Sequence, residues 1–150
     1  MVEREVAMLD RVIHERLRDD PGYRAIHAID GVGHVLAAVF VAEIGDVGRF
    51  PNPQALCSWA GITPRHRESD AKVRRGSITK QGSALVRWAA IEAVAGGRHG
   101  GPKLKDDYGR IAARRGRKVA RVAIARKLLT LVFFGLRDGQ IRCLNPAEVA

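Results

Sequence analysis

A chain of 150 residues with 26 Lys and Arg against 16 Asp and Glu, a formal net charge of +10, can bury one core without disulfides or a structural metal, and its surface favours a polyanionic partner. Cys57 and Cys143 lie far apart and outside any Cys/His cluster, the histidines show no HExxH or paired-ligand spacing, and no signal peptide precedes the first charges. The expectation is a cytoplasmic protein with reduced thiols, no cofactor or metal of its own, and no membrane anchor, since the apolar run Leu128 to Leu136 falls far short of the roughly 18 residues a spanning helix needs.

From Glu3 to Arg18, Val6, Leu9, Val12, Ile13 and Leu17 recur at three- and four-residue steps among charges, which predicts an amphipathic helix ended by Asp19, Asp20, Pro21 and Gly22. Its stripe either completes the core or belongs to a coiled coil begun upstream. A short helical turn, Tyr23 to Ala28, then leads through Ile29-Asp30-Gly31-Val32-Gly33 into a helix from His34 to Ile44. Asn52 caps a helix with Pro53 at its first position, and Gly61 stops it. Between Ile62 and Lys80 the composition turns to Arg, His, Ser, Asp and Lys, predicting a long basic loop or irregular hairpin. Helices follow over Gln81 to Ala95 and Leu104 to Arg115, with Gly116 as the stop of the second. Lys118 to Leu136, carrying Val119, Val122, Ile124, Leu128, Leu129, Val132 and Phe133, reads as the central buried helix. No stretch alternates strongly enough to demand a sheet. The predicted fold is an all-α helical bundle with a helix-hairpin-helix motif and a long basic loop, divided into an N-terminal helix (1–20), the main domain (21–137) and a tail (138–150).

Two segments can carry chemistry. In Ile29-Asp30-Gly31-Val32-Gly33, Gly31 and Gly33 allow a sharp turn and close approach to a phosphate, while the next helix offers its N–H groups and positive dipole end. Asp30 is an awkward neighbour for phosphate and suits a cap on that helix better. In the second segment, Arg65, Arg67, Lys72, Arg74, Arg75 and Lys80 are interleaved with hydroxyls and can neutralise a phosphodiester backbone. A serine or threonine among arginines becomes a nucleophile toward phosphorus once a base or metal removes its proton. Ser69, Ser77 and Thr79 all qualify.

Five ordered blocks narrow the reading: Ile29-Asp30-Gly31-Val32-Gly33; Ala42-Glu43-Ile44-Gly45-Asp46 with Arg49-Phe50; Trp59-Ala60-Gly61-Ile62-Thr63-Pro64-Arg65; Arg75 to Gly82; and Val122 to Leu129. Their order and spacing, from Tyr23 to Leu136, closely resemble the C-terminal domain of the one-hundred-and-ten family of insertion-sequence transposases, the DEDD-type, bridge-RNA-guided DNA recombinases. The resemblance implies that Ser69 is the nucleophile and that Arg65, Arg67, Arg74, Arg75 and Lys80 grip the strand. It also implies DNA as partner, a guide RNA, a homo-oligomer, and magnesium held by an N-terminal acidic domain that this chain lacks. Without that half, the chain is expected not to catalyse transposition alone. Two residues depart from the family pattern: Asp70 stands where glycine follows the serine, and Asp30 where the hairpin has proline. Two other readings stay open, a non-catalytic helix-hairpin-helix adaptor for DNA or RNA, and an interaction protein assembling through Val6, Leu9, Ile13 and Leu17.

Overall fold

The computed structural model describes residues 1–69, 72–96 and 99–144, with backbone alone for 65–69 and 72–75. Its elements are α1 (Val2–Leu17), α2 (Pro21–His27), α3 (His34–Ile44), a 3-10 turn (Val47–Arg49), α4 (Pro53–Trp59), β1 (Pro64–Ser69), β2 (Lys72–Ile78), α5 (Ala84–Ala95), α6 (Pro102–Arg115) and α7 (Arg117–Asp138). The helical bundle expected from the sequence is present. The stretch read as a loop or irregular hairpin is a two-stranded antiparallel ribbon; its basic composition hid a ladder made by main-chain hydrogen bonds.

Helix α7 is the axis, packed by α2, α4, α5 and α6. Ile124, Leu128, Leu129, Val132 and Phe133 are buried along it, and Ile26, Phe40, Leu56 and Val86 of the surrounding helices, with Ile62 from the segment after α4, belong to the same core. Val119 is half exposed, because the first turn of α7 runs beyond the core. Gly139, with φ 68, ends α7, and Ile141 returns to the core against Gly135. The segment expected as a tail from 138 therefore begins as the last turn of α7 and a packed return; 145–150 lie outside the described residues.

Local signals explain the boundaries. Asp20 and Pro21, read from the sequence as the end of α1, follow that helix and also open α2: the Asp20 carboxylate accepts the Tyr23 N–H at 2.6 Å and Pro21 takes the first helical position. Asn52 caps α4 through the Ala55 N–H at 2.9 Å. Helix α1 buries no residue; Val2, Val6, Leu9 and Val12 are each more than half exposed, and only Leu17 joins the core margin. Its stripe does not complete the core, because α1 touches the bundle mainly along α3 and through His14 against the Tyr23 hydroxyl.

Candidate nucleic-acid interface

The ribbon leaves the bundle through a narrow neck. On one side Gly61 (φ 72) and on the other Gly82 (φ 80) adopt the left-handed conformation that side chains disfavour. A Cβ at Gly61 would lie 2.6 Å from the Gln81 nitrogen, and one at Gly82 would run into the Trp59 carbonyl, 2.8 Å from its carbon. The two chain segments thus cross with nothing between them. Thr79 N–H donates to Thr63 O at 3.1 Å and Lys80 N–H to Gly61 O at 2.9 Å. Lys80, also at positive φ, and exposed, marks the exit.

Three contacts brace the neck from below. The Arg87 guanidinium donates to Ala60 O at 3.1 Å. Ser83 caps α5 by accepting the Val86 N–H and gives its own proton to the Glu43 carboxylate at 3.0 Å. Arg49 lies over both the Phe50 and Trp59 rings, 4.5 and 4.6 Å from their centres. The motif residues Glu43, Arg49, Phe50, Trp59, Gly61 and Gly82 are in this sense the footing of the ribbon. Sequence reading saw them as blocks without this purpose, since the crossing becomes visible only when 61 and 82 meet in space.

Within the ribbon, Ser69 pairs with Lys72, Glu68 with Val73, Arg67 with Arg74 and His66 with Arg75; an irregularity between Pro64 and His66 sets one residue of β1 against two of β2, Gly76 and Ser77. Strand alternation therefore puts positions 67, 69, 72 and 74 on one face. Ser69 ends β1 at the far tip, while Ser77 and Thr79 lie at the neck end. Asp70 lies outside the described residues.

The glycine turn is elsewhere. Gly31 has φ 97, and Gly33 stands at the N-cap of α3. The Asp30 carbonyl accepts the Gly100 N–H at 2.8 Å, tying the turn to the loop before α6. Beside it runs an open groove of about 510 Å³ lined by Asp30, Gly31, Gly33, Glu92 and Gly96. Helices α3 and α5 pack together, with Glu43 near Ser83 at one end and Gly33 near Gly96 at the other, so they run antiparallel. The turn and the neck thus stand at opposite ends of an 11-residue helix, roughly 17 Å apart. The surface between them on α3 and α5 exposes Val35, Leu85 and Trp88 with Glu43 and Glu92, and no Lys or Arg comes from α3. A single cationic sheet joining Gly31 to the ribbon does not cross this face.

Other ionisable groups are structural. Burial pushes the Cys57 thiol up, with Arg126 nearby acting against it. Asp107, almost buried, is held below the usual carboxylate range by hydrogen bonds from Lys127 and then Arg110. Among the described residues no group of His, Cys, Asp or Glu is arranged to hold a metal ion, and no helix is long and apolar enough to cross a membrane.

The sequence of this chain matches a known class. Residues 23–109 fit the family model described as the Transposase IS116/IS110/IS902 family, and the chain belongs to that family. It is 28% identical over 93 residues to a "Probable family 20 transposase" of Pseudomonas aeruginosa, covering 62% of this chain and 28% of that protein. To a "Pilin gene-inverting protein" of Moraxella lacunata it is 30% identical over 146 residues, 90% of this chain and 44% of the other. To the "Transposase for insertion sequence element IS1111A" of Coxiella burnetii it is 31% identical over 125 residues, 79% and 34% respectively. The chain spans less than half the length of each of these relatives.

Proposed function

We propose that this chain is the DNA-gripping part of a transposase or site-specific recombinase, and that its ribbon delivers Ser69 to a phosphodiester. The observation that carries the reading is the neck: two glycines and two main-chain hydrogen bonds hold a strongly basic ribbon against the bundle, with a serine at its tip opposite Lys72. A ribbon whose base is fixed presents Arg65, Arg67, Lys72, Arg74, Arg75 and Lys80 to a backbone without the ordering cost of a free loop.

In the covalent step, the Ser69 hydroxyl oxygen bonds to phosphorus and the phosphorus bond to one deoxyribose oxygen breaks. The serine proton passes to a base, and the departing sugar oxygen is protonated. The nearby cations offset the charge developing on the phosphoryl oxygens. The acidic residues that bind magnesium in this reading belong to a separate domain. Gly31 and Gly33 make a second, sequence-independent backbone contact. A guide RNA, assembly of several copies and a cytoplasmic site of action complete the proposal.

Two measurements test it. Affinity of the full chain for a short DNA duplex should fall steeply with salt, since each neutralised phosphate contributes a slope of roughly −0.9 in log K against log salt; a flat response overturns phosphate gripping. Nicked or junction DNA incubated with the chain and a supplied acidic domain should yield a denaturation-resistant adduct that Ser69→Ala abolishes. An adduct surviving that substitution rules out Ser69, and salt-sensitive binding without any adduct favours the adaptor.

A further inference from the structure

We infer that the corner between α6 and α7 is a second phosphodiester-binding surface, one that takes the backbone of duplex DNA. The inference deepens the DNA-gripping reading and rests on it. The corner lies beyond the residues matched by the family model, which end at 109.

From Tyr108 to Arg137 the sequence contains no Asp or Glu, while Arg114, Arg115, Arg117, Lys118 and Arg121 crowd around Gly116. All five are exposed, and none has an ion-pair partner among the described residues. Asp107, the carboxylate that immediately precedes this stretch in sequence, pairs with Arg110 and Lys127. Folding does not account for this arrangement. Cations in the last turn of α6 suit its negative dipole end, but Arg117, Lys118 and Arg121 begin α7, where positive charge is disfavoured, and like charges three and four residues apart repel.

Position strengthens the argument. Arg117 and Arg121 stand seven residues before Ile124 and Leu128, on the continuation of the face that α7 buries. They are exposed because the core ends there, so its rim is cationic. The Cys57 thiol meets Arg126 O at 3.6 Å and the Ile62 N–H meets Cys57 O at 3.3 Å, which puts the neck beside Arg126. Arg121 is about 7 Å further along the same helix. Arg114 to Arg121 offer charge without a shaped pocket, which fits a repeating phosphate backbone better than a single small anion.

The test uses the full chain and three charge-matched variants: R114Q/R115Q/K118Q/R121Q at the corner, R65Q/R67Q/R74Q/R75Q in the ribbon, and R4Q/R11Q/R16Q/R18Q on α1 as a control for net charge. Binding to a 20-base-pair DNA duplex and to an RNA duplex of the same sequence is measured across a salt series, with melting curves to verify folding. The corner variant should lose about 10- to 100-fold in DNA affinity at moderate salt and flatten the salt slope by roughly 2 or more, while the α1 control loses far less. Equal loss in corner and control variants reduces the effect to net charge and overturns the inference. Loss in the ribbon variant with none at the corner overturns the second surface and leaves the ribbon reading standing. Loss for RNA alone overturns DNA as the occupant. No loss in either ribbon or corner variant removes both readings together.

Discussion

At Gly82 the backbone passes so close to the Trp59 carbonyl that any side chain must push the two segments apart, and its φ of 80 adds a conformational penalty. Gly82→Ala is expected to cost at least about 2 kcal/mol, read from the denaturant midpoint. Gly96→Ala, in open space at φ −70 beside α5, should be neutral or stabilising by up to about 1 kcal/mol. Equal effects at the two positions would show that the neck crossing is not tight. Asp107 supplies a pH-dependent term. Hydrogen bonds from Lys127 and Arg110 lower its folded pKa, so the stabilisation is present above the ordinary carboxylate range near about 4 and is lost as pH falls through that range toward the folded value. Asp107→Asn should melt below the parent at pH 7, with the gap closing in acid. A gap that persists unchanged at low pH would mean the ion pairs contribute nothing that titrates.

Among the elements, α1 stands apart because none of its residues is buried and its apolar stripe faces solvent. Deleting residues 1–18 should leave a cooperative melt with a loss on the order of 1–2 kcal/mol, mainly from Leu17 and the His14–Tyr23 contact. A chain that fails to fold after this deletion would show that α1 completes the core. The helices were legible where caps and periodicity agree, as at Asn52-Pro53 and from Ile124 to Phe133. Asp20-Pro21 was ambiguous because the same pair ends one helix and begins the next. The ribbon was legible only as one of two alternatives, a loop or an irregular hairpin, since Arg, His, Ser and Lys carry no apolar alternation and its pairing rests on main-chain bonds. Ser69 rested on family resemblance alone. The bracing contacts Ser83–Glu43 and Arg87–Ala60 left no local signal either, because their partners lie 40 and 27 positions apart.

For the whole molecule, the spacing of the proposed DNA contacts makes a claim that single substitutions cannot test. The glycine turn and the neck are fixed at opposite ends of the antiparallel α3 and α5 pair, and a rigid helix pair does not transmit small changes between its ends. Gly33→Ala is a clean probe of the turn: φ is −74 and a Cβ there meets nothing within 4 Å, so the fold tolerates the methyl group while a closely approaching phosphate does not. Its melting temperature should match the parent and its DNA affinity should fall a few-fold. Combined with R67Q/R74Q in the ribbon, the two losses should add to within about 0.5 kcal/mol, as expected for sites more than about 10 Å apart with no shared partner. A larger coupling would mean that the ribbon moves against the bundle when DNA binds, and the picture of two contacts held apart by a rigid helix pair would fail. Unchanged affinity in Gly33→Ala would instead leave gripping to the ribbon and the α6–α7 corner, with the glycine turn acting only to join α2 to α3.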